Sequence, residues 1–149
     1  MKIRAHHLLC LLGFRGEGYN PEFIKKMKEI KERLEKEPNS IIEVVNECDE
    51  ICALCPYQVN NLCQKGKLSQ KRTKEMDEKV LNYLNLQAMD TITSGKVFSL
   101  IKKRIGNFSI IVKICGQCGW REVCNYYLKL RNEWRKQKGL GENRKEISP

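Results

Sequence analysis

Two short cysteine runs constrain this chain more than anything else in it: Ile51-Cys52-Ala53-Leu54-Cys55, closing at Cys63, and Ile114-Cys115-Gly116-Gln117-Cys118, closing at Cys124. Each is a Cys-x-x-Cys pair with a third cysteine after seven or five intervening residues. A two-residue gap lets a tight turn aim both thiolates at one ion or cluster, while backbone N–H groups of the turn donate to the sulfurs. One such trio is compatible with chance; two in 149 residues are a metal-binding signature. A chain of this length buries a core without staples, so its eight cysteines are not needed to hold a miniature scaffold together.

No run of 18 apolar residues exists, which argues against a spanning helix. The start, Met1 to Cys10, mimics a signal peptide. Its apolar stretch from Leu8 to Phe14 is short, however, follows two histidines and lacks a small-residue cleavage site. Leu9 stands where a lipoprotein signal has a small residue before its cysteine. The expectation is a cytoplasmic protein without a membrane partner, in which clustered thiols stay reduced and favour metal over disulfides. The formal charge is +10, with five bases and no acid between Thr91 and Ile114 and five bases against one acid from Gln64 to Met76. Such fields steer polyanions. A lysine-rich solvated surface explains them as well and is the preferred reading.

The pattern along the chain predicts a mainly α protein: one five-helix metal-binding domain over residues 1–140 and a polar tail over 141–149, with at most a short two-stranded element. Residues 2–5 and Ile41 to Val45 are the candidate strands. Helices are expected over His6 to Phe14, Pro21 to Glu37 (Asn20 as cap, Pro21 at the first position), Ser69 to Leu86, Ile92 to Ile105, and from near Trp120 to Gly139. Phe108 to Ile114 alternates like a strand but is short enough to be a buried turn. The cysteine-rich loops are expected to converge on the metal.

Eight thiols are enough for two four-ligand sites. Thiolate-only donor sets select zinc or iron–sulfur clusters, because soft sulfur suits both. Gly119 after Cys118 resembles a zinc knuckle. The two pairs, however, lie about 60 residues apart and each carries its own third cysteine, whereas zinc ribbons pair Cys-x-x-Cys motifs across about 12–20 residues. A local trio plus one distant thiolate is a way to hold a [4Fe–4S] cubane, and Cys55-Pro56 echoes the end of a ferredoxin run. The iron–sulfur reading is therefore favoured, with zinc as the alternative.

Cys10 follows His6 and His7 by four and three residues, separations that share a helix face. The three converge on one point if the segment is helical, with the histidines as candidate catalytic proton carriers. Trp120 is a candidate lid over the cofactor, and Arg121 a candidate counter-charge. Cys48 precedes Asp49-Glu50, has no counterpart in the second trio and is expected to be dispensable. The metal-ligand set is thus Cys10, Cys52, Cys55, Cys63, Cys115, Cys118 and Cys124.

Together, Arg4-Ala5-His6-His7-Leu8-Leu9-Cys10, Phe14 to Tyr19, Pro21-Glu22-Phe23, Asp49-Glu50-Ile51-Cys52 with Cys55-Pro56 and Cys63, and Cys115-Gly116 with Cys118, Trp120 and Cys124 form a combined pattern. On it the chain resembles, from about residue 3 to residue 127, domain-of-unknown-function family twelve-eighty-four, small bacterial and archaeal proteins. The resemblance implies iron–sulfur binding and no settled activity, and its pattern includes Cys10 and both trios but not Cys48. Two functional classes follow. The first is a redox or cluster-chemistry protein with a small-molecule substrate or an electron-transfer partner. The second is a zinc-stabilised, non-enzymatic module that binds RNA or another acidic partner. The second is less favoured, since the basic segments lack interleaved aromatics.

Overall fold

The computed structural model describes residues 1–140, so the expected tail over 141–149 lies outside the described residues. The chain starts with strand β1 (Lys2–Arg4), which runs directly into helix α1 (Ala5–Gly13). Helix α2 (Pro21–Lys36) follows, with the Asn20 side chain accepting from the Phe23 N–H and Pro21 in the first turn. Strand β2 (Ile41–Val45) pairs parallel to β1 in the register Ile3↔Val44, as the two β-branched segments suggested. After the first cysteine run comes a small antiparallel hairpin, β3 (Gln58–Val59) and β4 (Leu62–Cys63). Helix α3 (Ser69–Leu84), strand β5 (Thr91–Thr93), helix α4 (Ser94–Arg104), helix α5 (Phe108–Cys115) and helix α6 (Asn125–Gln137) complete it.

The mainly α class stands, with the described short strands in a three-stranded and a two-stranded sheet where at most one two-stranded element was expected. Further details differ from the sequence expectation in three places. The alternating run after Gly106 is a helix, α5. Asn107 caps it by accepting from the Ile110 N–H, and Ile111 and Ile114 face the core at a three-residue spacing. This raises the described α-helices to six. The helix expected from Ile92 loses its first two residues: Thr91–Thr93 pairs antiparallel with β2 instead, and the Thr93 hydroxyl caps α4. β2 thereby becomes the centre of a three-stranded sheet. The last helix starts at Asn125 rather than near Trp120, because Arg121–Val123 form a separate 3₁₀ turn.

Helix α1 is the hub. Ala5, His6, Leu8, Leu9, Leu11 and Gly13 are all buried, so it presents no solvent face of its own. It packs against α2, α3 and α6. Helices α2, α3 and α4 are amphipathic and enclose it with Met27, Ile30, Leu34, Val80, Leu84, Val97 and Ile101. Because α1 carries His6, His7 and Cys10, every candidate group on it is delivered into the middle of the molecule. Among the described residues, no helix is long and apolar enough to cross a membrane.

Candidate metal centre

The second cysteine run and Cys10 come together. Helix α5 ends at Cys115, the Cys118 N–H donates to the Cys115 carbonyl at 3.0 Å, and Cys124 opens α6. Cys10 lies within electrostatic reach of Cys118, Cys124 and Cys115. Burial first, then the repulsion of those neighbours, pushes the Cys10 thiol well up, and burial raises Cys115 and Cys124 in the same way. Four soft donors thus share one part of the interior. The Trp120 N–H donates to the Cys118 sulfur at 3.4 Å, and Arg15 is the cation whose charge reaches Cys124.

Gly13 makes this approach possible. A Cβ built there would stand 2.1 Å from Cys124 Sγ and 3.4 Å from the Tyr126 nitrogen. Gly13→Ala is therefore expected to displace Cys124, cost about 1–3 kcal/mol by overpacking and lower the metal content. Denaturant titration and metal analysis check this; a variant unchanged in both would mean that α1 and α6 do not meet this closely.

The first run builds a second group of four. Cys52 sits in a 3₁₀ turn whose next cysteine, Cys55, donates its N–H to the Cys52 carbonyl at 3.0 Å, the same turn as at Cys115 and Cys118. Cys63 is held on β4 by its N–H, which donates to Gln70 Oε1 at 2.8 Å. Cys48, expected to be dispensable, belongs here. Its thiol lies within electrostatic reach of Cys52 and Cys63 and receives Arg4 Nη1 at 3.9 Å. Cys55 lies within electrostatic reach of Cys63 and Lys65. Burial raises Cys48, Cys52 and Cys55. The seven sequence-chosen thiols thus fall three and four between two groups, and Cys48 completes the smaller.

The histidines face two buried carboxylates that the sequence reading passed over. His7 Nδ1 is 2.8 Å from Asp49 Oδ2, and that oxygen also accepts the Arg4 N–H at 2.7 Å, while Asp49 Oδ1 accepts the Cys52 N–H at 2.9 Å. His7, Asp49 and Cys52 place ligand atoms within 4.8 Å of one another. Both Asp49 oxygens are already engaged, so the trio works as a hydrogen-bonded relay that orients His7 beside Cys52. Burial alone would raise Asp49; His7 and the two N–H donors outweigh it and hold the carboxylate well below its ordinary range.

On the other side, His6 Nδ1 is 2.6 Å from Asp77 Oδ1, which also accepts the His6 backbone N–H, and Arg4 reaches Asp77 Oδ2 through Nε at 2.8 Å. Burial and then His7 hold His6 below its ordinary value, so it stays neutral and donates from Nδ1. Asp77 remains low despite its burial, through the His6 hydrogen bonds and Arg4. A signal for Asp77 existed: in α3 it stands four residues before Leu81 and seven before Leu84, a core-facing slot.

Trp120 and Arg121 take more modest positions than expected. Trp120 Nε1 donates to Tyr19 OH at 3.0 Å, and its ring meets the Tyr19 ring edge-on at 5.1 Å. Lys65 Nζ bonds the same hydroxyl at 3.3 Å and stands over both rings. This cage ties the first cysteine loop to the second. Arg121 donates to the Cys118 carbonyl at 2.8 Å and pairs with Glu122. Arg4, Arg15 and Lys65 are further cations within electrostatic reach of Cys48, Cys124 and Cys55.

A central helix and two Cys-x-x-Cys turns, gathering eight thiols into two groups, define a small mainly α cysteine-rich protein. The sequence profile of the family described as Protein of unknown function (DUF1284) matches residues 18–124, and the chain belongs to that family. The matched stretch holds both trios and Cys48, and starts after His6, His7 and Cys10. No curated protein and no solved structure matches the chain.

Proposed function

We propose that this protein binds iron–sulfur clusters of the [4Fe–4S] type and serves a redox or cluster-based role. The observation that carries the reading is the gathering of eight thiols into two sets, Cys10, Cys115, Cys118, Cys124 and Cys48, Cys52, Cys55, Cys63. The donor chemistry fits, because each set offers four sulfurs with cations at its edge and backbone N–H groups at Cys118 and Cys55, and His7 and Asp49 stand beside Cys52. A thiolate-held cluster supplies one-electron chemistry.

The chain's own residues do the rest. The Trp120 N–H and the cations Arg4, Arg15 and Lys65 offset thiolate charge. Asp49 takes the proton-bearing Nδ1 of His7 and leaves Nε2 as the atom that accepts or hands on a proton. Anaerobic purification with iron, acid-labile sulfide and zinc measured on one sample tests the reading. The expected result is a brown protein, absorbing near ~400 nm and bleached by dithionite, with iron and sulfide in equal amounts. A colourless protein with stoichiometric zinc and no sulfide would overturn it in favour of a zinc-stabilised module that binds an acidic partner.

A further inference from the structure

Nine large apolar side chains are exposed among the described residues, and five of them, Leu54, Tyr57, Val59, Leu62 and Leu68, lie in one stretch around Cys55 and Cys63. Elsewhere such residues are scattered; here they gather on the loop that covers the second thiol group. The hairpin explains why they stay outside. Asn60 and Asn61 both adopt left-handed backbone, with φ of 50° and 61°, which gives a two-residue turn that fixes the strand register. Val59 stands opposite Leu62, and Gln58 opposite Cys63. The first pair is exposed and the second half-buried, so the hairpin turns Cys63 inward and Val59 and Leu62 outward. Apolar side chains held out on so short a hairpin are not core left over by accident.

The segment that carries this patch has one sign of charge. No acid occurs between Glu50 and Glu75, while Lys65, Lys67, Lys71 and Arg72 are exposed on the segment that follows Cys63. An apolar patch on a basic segment complements a protein surface with an apolar patch among carboxylates. Nucleic acid fits less well. Val59, Leu62 and Leu68 offer it nothing to bond, and Lys65 stands over the faces of Tyr19 and Trp120, which a base would need for stacking.

We infer that the Leu54–Arg72 face is the docking surface for a small acidic redox protein, which it brings close to Cys55 and Cys63. This rests on the iron–sulfur reading for the kind of partner, while the surface itself stands on exposure and charge. The test titrates the anaerobically prepared full chain with an acidic plant-type ferredoxin, using calorimetry at low and raised salt, with iron measured on every sample. Expected is binding that weakens about tenfold or more between ~20 and ~200 mM salt. Lys67→Glu with Lys71→Glu should weaken it by at least about tenfold, and Val59→Ser with Leu62→Ser by about fivefold at either salt, with iron content unchanged. Lys102→Glu with Lys103→Glu, on α4, should leave it alone. An iron-loaded protein that fails to bind at low salt overturns the docking surface and spares the cluster reading. So does equal weakening by the α4 pair, or a single-stranded oligonucleotide that binds through Lys67 and Lys71 where ferredoxin does not. Binding through these residues by a protein carrying zinc and no iron overturns the cluster reading and leaves the surface standing.

Discussion

Cys48→Ala is expected to lose as much iron as Cys115→Ala, each about half of the wild-type content, because each breaks one of two four-thiol groups. The reasoning is local. Cys48 lies beside Cys52, Cys63 and Arg4, whereas Cys115 is grouped with Cys10, Cys118 and Cys124. The two losses should be separable: Cys48→Ala with Cys115→Ala together should leave almost no iron. Cys115→Ala should also loosen α6, since Cys124, at its first turn, shares that group. Metal analysis and helix content by circular dichroism check this. If Cys48→Ala kept full iron, the Cys52, Cys55 and Cys63 site would be a three-thiolate one, and Cys48 an ordinary packed thiol.

Asp77→Ala is expected to destabilise the fold by about 3–5 kcal/mol, since it leaves the Arg4 guanidinium buried without its counter-ion. Arg4 is 1% exposed and Asp77 fully buried. The same carboxylate accepts the His6 side chain and backbone N–H, so a single deletion on α3 orphans three donors on β1 and α1. Asp77→Leu combined with Arg4→Met should recover most of the loss, because no lone charge then remains inside. Urea midpoints measure both, and a loss below about 1 kcal/mol for Asp77→Ala would mean that water reaches the pair.

The pH dependence of stability follows from the same cluster. His6 is held below its ordinary value, so the unfolded chain takes up a proton near pH ~6.5 that the folded chain refuses. Stability therefore falls as pH drops below about 6.5. Asp77 is held below the ordinary carboxylate value, so its contribution is complete above about pH 4 and disappears as pH falls through the folded value. His6→Asn should flatten the upper part of the curve and keep the lower. Equilibrium unfolding between about pH 2 and pH 8, which spans both groups, distinguishes the two.

The sequence by itself determined the elements whose signals are local. Asn20-Pro21 started α2, the spacing of Met27, Ile30 and Leu34 gave its buried face, and the β-branched Ile41 to Val45 gave the central strand. The two Cys-x-x-Cys turns were equally legible, since three residues set their geometry. Whatever depended on distant segments meeting was hidden. Phe108 to Ile114 alternates, yet the Asn107 cap and the space beside α3 and α6 made it a helix. Ile92 and Thr93 were drawn out of α4 by the free edge of β2.

The same division holds at the candidate site. His6, His7 and Cys10 stood out because i, i+3 and i+4 share a helix face, but their partners lie 42 to 114 positions away, at Asp49, Asp77 and Cys124. Cys48 carries no motif of its own, and only the folding of the residues after β2 brings it to Cys52 and Arg4. Asp77 looks like one more acid on a charged helix until packing buries it against Arg4. Local spacing names the ligand types, whereas the grouping of eight thiols into two sets, and the carboxylate behind each histidine, are set by the tertiary packing of α1 between α3 and α6.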